Sequence, residues 1–269
     1  MPSVSKAHIP NLKQTHYWDT VIFLVESTLF KVPKYHFETS SEVFRDMLMV
    51  PSGAEGPEGT SDANPIRLDG VKAIDFKRLV EILYPSTTTP WKKENKSKDE
   101  WLSILRLSNL WRFSRLRSLA IEELTKQQQM DAVEQILLGK EFAVSQWIRA
   151  GYKGVIMRKE PLSMDEVKLL DYEPAIRVFR ARESVNQRMQ GSNCQGQCSR
   201  CLRVQPVAVS ISSNYCGGCG VYSSFSLCSG GDESSVQSVV DKEFAIEISQ
   251  ASSDSAAYEE NDNRHSQSS

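Results

Sequence analysis

Residues 19–48, DTVIFLVESTLFKVPKYHFETSSEVFRDML, constrain this chain more than any other stretch. Residues 21–25 are an apolar run, VIFLV, rich in β-formers and too short for a buried helix, which predicts a buried strand. Glu26-Ser27-Thr28 is a polar break before a second β-prone run at 29–32, so the pair predicts a hairpin. Pro33 ends the second run because it has no N–H to give to a ladder. Thr39-Ser40-Ser41-Glu42 has capping-box spacing, and Thr39 and Glu42 are expected to satisfy each other's backbone donors. Val43, Phe44, Met47 and Leu48 then share one helical face. The order is strand, strand, helix, with no catalytic group placed at a turn.

Further along, residues 51–64 read as a loop and Ile66-Arg67-Leu68 as a short strand before the Asp69-Gly70 turn. Phe76, Leu79, Val80 and Leu83 recur at helical spacing over 73–84, and Pro85 closes that helix. Residues 85–98 are a second loop, whose Lys92, Lys93, Lys96 and Lys98 read as solvated charges rather than a phosphate site. Ser97 and Glu100 form a capping box ahead of Trp101, Ile104, Leu105 and Ser108, and Leu116, Leu119, Ala120 and Leu124 continue the helical pattern. Trp101 and Trp111 sit beside leucines at helical spacing and are read as core. Val133, Ile136 and Leu137, then residues 142–152, predict two more helices. Ser163 and Glu166 cap another, and Pro174 opens one that runs to about Arg188. Gly139, Gly151 and Gly154 read as helix stops, since no strand precedes them as a phosphate cradle would require.

Four pieces keep a recognisable order and spacing: Asp19-Thr20-Val21, Leu29-Phe30-Lys31-Val32, Ser40-Ser41-x-x-Phe44-Arg45-x-Met47-Leu48, and Phe76-x-x-Leu79-Val80-x-x-Leu83-Tyr84. With them the first half of the chain resembles the BTB/POZ domain, in the divergent form common in fungal proteins. It departs from that family at Pro33, where most members carry a histidine, and in the insert at 51–64. The resemblance implies an α+β fold over 15–125, a small sheet with flanking helices, followed by a helical extension over 126–190. It also implies a non-enzymatic protein–protein interaction module, an adaptor or scaffold that self-associates as a homodimer. Some members dock a cullin-type ubiquitin-ligase scaffold. Their apolar-x-Glu element is not evident here after residues 44–48, because Ala54-Glu55 lacks the right preceding residue.

The 269 residues give room for a substantial core, and a net charge of −2 creates no global field favouring nucleic acid. Apolar runs of five or six residues exclude a membrane-spanning helix. The first eighteen residues lack a charged-then-apolar export pattern, so a cytoplasmic or nuclear location is expected. All six cysteines lie between 194 and 228, and without export, metal ligation explains them better than disulfides. Cys198-Ser199-Arg200-Cys201 and Cys216-Gly217-Gly218-Cys219 are two C-x-x-C pairs separated by fourteen residues. Each pair can wrap two thiolates around one cation, with Gly217, Gly218 and Gly220 easing the tight turn. Leu202, Val204, Val207, Val209 and Ile211 predict a hairpin between the pairs, broken by Pro206. Residues 191–228 therefore read as a zinc ribbon ligated by Cys198, Cys201, Cys216 and Cys219, with Cys194 and Cys228 spare or substituting for a ligand.

Residues 229–269 are acidic, Ser-rich and poor in aromatics, which predicts a disordered tail. Phe244, Ile246 and Ile248 form an apolar island in it, and residues 15–188 are expected to fold without it. His8, His16, His36 and His265 are scattered, and no nucleophile elbow, H-E-x-x-H, Walker or Rossmann pattern is present, so no enzyme is expected. Four thiolates around zinc would also leave no position for a reactive water. The alternative function is a nucleic-acid-linked transcriptional regulator using the ribbon. Arg200 and Arg203 are too few for strong phosphate binding, so protein partners are preferred.

Overall fold

β1 (Thr20–Val25) is the central strand of a three-stranded sheet, antiparallel to β2 (Thr28–Pro33) and parallel to a short β3 (Ile66–Arg67). The computed structural model describes residues 18–49, 57–85, 96–191, 194–207, 214–216, 218–220, 222–223, 225–227 and 233–266. Two compact units divide after Gln129. The expected N-terminal lead-in at 1–16, most of the lysine-rich loop and the first part of the 51–64 insert lie outside the described residues.

In the first unit, the turn between β1 and β2 places Glu26 at φ 54, and its carboxylate accepts from the N–H of Ala73, 2.9 Å away. That bond satisfies one of the free donors that open α3 (Ala73–Leu83), whose own N-cap residue, Lys72, supplies no side chain. Gly59 shows why part of the expected loop is ordered. Its N–H donates to Asn64 and its C=O accepts from Ile22. At φ 77, a Cβ there would lie 2.8 Å from Val21 Cγ2 and 2.9 Å from Ile66 Cδ1. Only glycine lets this loop press on the sheet.

Phe23, on β1, sits at the centre of an aromatic core with ring centroids 4.9 Å from Phe37, 5.4 Å from Phe44 and 5.4 Å from Phe76. Phe37 comes from α1 (Tyr35–Ser40) and Phe44 from α2 (Glu42–Met49). The capping box placed at Thr39 does not form: Thr39 lies inside α1 and its hydroxyl donates to the Tyr35 carbonyl. The cap is Ser41, whose Oγ accepts from the N–H of Phe44 and donates to the Trp111 carbonyl at 2.6 Å. On the shared helical face of α2, Phe44 is buried, while Val43 and Met47 are 39% and 37% exposed.

α4 (Lys98–Leu110) and α5 (Ser114–Gln127) complete this unit, and the predicted capping box at Ser97 and Glu100 is present. Trp101, Ile104, Leu105 and Trp111 are buried as expected, whereas Leu119 faces outward. Between the helices Arg112 takes φ 53, and the N–H of Phe113 donates back to Ser108 at 2.9 Å. This is the closing bond of a Schellman turn.

The second unit opens with the same turn. α6 (Ala132–Glu141) and α7 (Ser145–Met157) are joined through Ala143 at φ 53, with the N–H of Val144 donating to Gly139 at 2.8 Å. The single helix expected over 142–152 is therefore broken at 142–144. Gly139, Gly151 and Gly154 are not stops, since all three lie inside helices. A Cβ on Gly151 would meet the Ala132 carbonyl oxygen at 2.5 Å, and one on Gly139 would meet Ile148 Cγ1 at 2.7 Å. The glycines bring the two helix backbones into contact.

α8 (Met164–Leu170) begins with the predicted capping box at Ser163 and Glu166, and Arg158 grips the same Glu166 through two bonds of 2.6 and 2.7 Å. α9 (Tyr172–Gly191) starts two residues before Pro174, which sits in its first turn. The ribbon follows, with β4 (Cys194–Cys198), β5 (Val204–Val207), β6 (Asn214–Tyr215), β7 (Tyr222–Ser223) and β8 (Phe225–Leu227).

The expected disordered tail is helical. α10 (Glu233–Glu243) and α11 (Ala245–Ser266) place Val236, Val240, Phe244 and Ile248 in one core with Tyr152, Val155 and Val178. Those four residues repeat every fourth position, a helical stripe, while Ile246 points outward. The apolar island is thus part of a core face, and residues 15–188 lack side chains that fill the second unit's core. Among the described residues, no helix is long and apolar enough to cross a membrane.

Candidate metal centre

Each C-x-x-C pair sits in the turn of its own hairpin. β4 and β5 pair antiparallel around Cys198 and Cys201, and β6 and β7 around Cys216 and Cys219. Of the hairpin predicted between the pairs, Val204 and Val207 lie on β5, and Val209 and Ile211 lie outside the described residues. Pro206 lies opposite Gln195 on β5, an edge strand of the β5-β4-β8 sheet, where a missing N–H is tolerated.

The two turns are built alike. The N–H of Leu202 donates to the carbonyl of Cys198 at 2.9 Å, and that of Gly220 to the carbonyl of Cys216 at 2.8 Å. Leu202 and Gly220, each one residue past the second cysteine, take φ 59 and 70. Gly218 gives its N–H to Cys216 Sγ at 3.4 Å, and a Cβ there would stand 3.3 Å from Cys201 Sγ. Gly217 lies outside the described residues.

This folding brings all four predicted ligand sulfurs within 4.8 Å of one another. Cys198 Sγ is 3.8 Å from Cys219 Sγ, and Cys201 Sγ is 3.5 Å from Cys216 Sγ. A zinc ion with sulfur at about 2.3 Å in tetrahedral geometry would set sulfur–sulfur edges of about 3.8 Å. The donor set fits that group and could hold a metal ion. Cys198 and Cys216 are buried, and Cys201 is exposed.

Electrostatics points the same way. The N–H groups of Cys219 and Gly218, working against burial, hold the Cys216 thiol below its ordinary range. At Cys201 the N–H of Arg203 pulls the thiol down. The Cys216 thiol, burial, and the thiols of Cys198 and Cys219 outweigh it and push Cys201 up to about 11. Four sulfurs packed this closely resist ionising together unless a cation lies among them. Cys194 joins the β4 ladder opposite Val207, and Cys228 lies outside the described residues.

The other candidates have structural settings. The His36 ring packs against the rings of Tyr35 and Tyr84, and the Tyr84 hydroxyl donates to the Pro33 carbonyl, tying the end of α3 to the end of β2. Arg200 and Arg203 are exposed on the first cysteine turn. On the first unit, α2 presents Val43, Met47 and Met49 to solvent, and Arg112 pairs with Glu42 at 3.3 Å beside them. Sequence patterning placed these residues on one helical face but could not say which of them a neighbour in the same chain covers.

Compared with known proteins, residues 10–128 match the family model of the BTB/POZ domain. No match is found among curated proteins.

Proposed function

We propose that this chain, which carries a BTB/POZ domain across residues 10–128, is a non-catalytic adaptor that joins protein partners and associates with a second copy of itself. The family match carries the reading, since BTB/POZ domains mediate protein–protein interaction. The outward apolar residues of α2, Val43, Met47 and Met49, support it as a place for a partner to bury surface. A cullin-type scaffold is left out of the reading because Ala54-Glu55 lacks the required preceding residue. The nucleic-acid-linked alternative has only Arg200 and Arg203 behind it, too small a basic patch.

Sedimentation of the full chain at micromolar and lower concentrations tests self-association. A dimer that dissociates in the Val43→Asp, Met47→Asp double variant is the expected result. Both side chains reach solvent, and a thermal melt matching the wild type would show that the double variant is folded. A strictly monomeric wild type would remove the claim.

In this reading Cys198, Cys201, Cys216 and Cys219 bind one zinc ion as thiolates. A closed set of four thiolates makes the ion structural and supplies on the order of 10 kcal/mol to folding the ribbon. Metal analysis of reduced, chelator-free protein should return one equivalent of zinc, lost in Cys216→Ser and kept in Cys228→Ser. A value below about half an equivalent would refute the site.

A further inference from the structure

The ribbon is a closed insertion within a helical core rather than a terminal appendage. α9 and α10 flank it, and both feed the same core, with Val178 and Val185 from α9 and Val236 and Val240 from α10. The chain leaves and re-enters along paired strands, β4 and β8, with Gly196 opposite Leu227 and Cys198 opposite Phe225. Entry and exit are therefore held about 4.8 Å apart, the ordinary strand spacing. Cys198 closes that ladder and is one of the four converging thiols.

We propose that the four-cysteine centre is a clip that keeps α10 and α11 docked on α7 and α9, so that metal occupancy sets how tightly the C-terminal helices are held. The proposal rests on the metal reading above. Among the described ribbon side chains, those that are buried are Cys198 and Cys216, the ligands themselves. A segment this short, with four converging thiols, depends on the ion to fold. With it folded, residues 192–193 and 228–232, seven in all, link the helix ends to the ladder. With it unfolded, all 41 residues from 192 to 232 form the connection. The probability of loop closure falls as about the three-halves power of length, so docking weakens about tenfold.

The docked state has specific contacts to lose. Phe244 stacks on Tyr152 at 3.5 Å between centroids, Glu247 accepts from the Tyr152 hydroxyl at 2.6 Å and pairs with Lys140 at 2.9 Å, and Arg149 pairs with Asp241 at 2.9 Å. These contacts lie on the helices and not on the ribbon, so metal loss loosens docking without abolishing it.

Hydrogen exchange on the full chain, with zinc content measured on the same sample, tests the clip. Chelation should speed exchange at residues 236–251 about tenfold and leave α4 and α5 unchanged. A variant with residues 194–227 replaced by Gly-Gly, which leaves a connection of about nine residues, should stay close to the metal-loaded rate with or without chelator. Unchanged protection at 236–251 after verified metal loss would overturn the clip while leaving the metal site standing. Exchange in the linked variant as fast as in the metal-free chain would also overturn it. A preparation that never holds zinc would remove the metal reading and the clip with it.

Discussion

The hairpins α4–α5 and α6–α7 are one turn used twice, offset by 31 residues from Arg112 to Ala143. Leu107 and Leu138, Trp111 and Phe142, Phe113 and Val144, Leu116 and Trp147, and Leu124 and Val155 are equivalent and all buried. The difference lies where the helices meet. Ser108 and Ala120 occupy the first hairpin's positions, and Gly139 and Gly151 occupy the second's. Their surroundings differ too. Trp111 and Phe113 join the aromatic cluster of Phe37, Phe44 and Phe76, while α7 packs among the largely aliphatic residues of α9, α10 and α11. A local turn can thus be copied while the distance between its helices and the kind of core behind it change independently.

Truncation at the shared turn position should show the largest contrast. Phe113 touches Phe37 and Phe44 and is buried, so Phe113→Ala should cost about 3–5 kcal/mol. Val144→Ala removes far less buried surface and should cost roughly half as much or less. Urea unfolding, with hydrogen exchange assigning each loss to its unit, checks the pair; equal losses would mean the two cores are not differently packed.

Next in size is Gly151→Ala. The added methyl would meet the Ala132 carbonyl at 2.5 Å and the Ile136 nitrogen at 2.9 Å, both backbone atoms. The overpacking should cost about 2–3 kcal/mol net, although alanine alone favours helix by about 1 kcal/mol. In the first hairpin the reverse change, Ala120→Gly, should cost about 1 kcal/mol through propensity and lost packing. A stabilised Gly151→Ala would show that the helices can separate.

Acid should distinguish the units more gently. Bonds from Arg158, opposed by burial and aided by the Ser163 N–H, depress Glu166 to about 2 from an ordinary 4.5. The stability this adds is present above about pH 4.5 and is lost as pH falls towards 2. Allowing for solvent screening of a partly exposed pair, it amounts to about 1–2 kcal/mol. Glu166→Gln should flatten that part of the second unit's acid-unfolding profile, measured by hydrogen exchange at α8, and leave α4 unaffected.

The smallest effect concerns the left-handed residues themselves. Ala143→Gly should stabilise the second unit by about 0.5–1 kcal/mol, because glycine takes φ 53 without a Cβ penalty. Arg112→Gly should gain less, since it also gives up the contact with Glu42. Thermal melts of the two variants give the ranking; a larger gain at Arg112 would reverse it.

Sequence alone determined whatever depends on near neighbours in the chain. β1 and β2, the capping boxes at Ser97 and Ser163, and the two cysteine pairs are all settled within a few residues, so their patterns are readable. Signals existed elsewhere and were outweighed by composition. The fourfold spacing of Val236, Val240, Phe244 and Ile248 marks a helix even in a Ser-rich stretch, but its stability comes from α7 and α9. Tertiary structure alone decided that Ser41 rather than Thr39 caps α2, because its hydroxyl is also held by a carbonyl 70 positions away. It decided that Gly59 must be glycine because Val21 and Ile66 converge on it, and that Gly151 is a contact and not a stop because Ala132 lies against it. The meeting of Cys198 and Cys201 with Cys216 and Cys219 was readable from the paired spacing, but the distances between their sulfurs come from the fold. In each case the deciding partner is far away in sequence, and its position is set by how the whole unit buries its apolar surface.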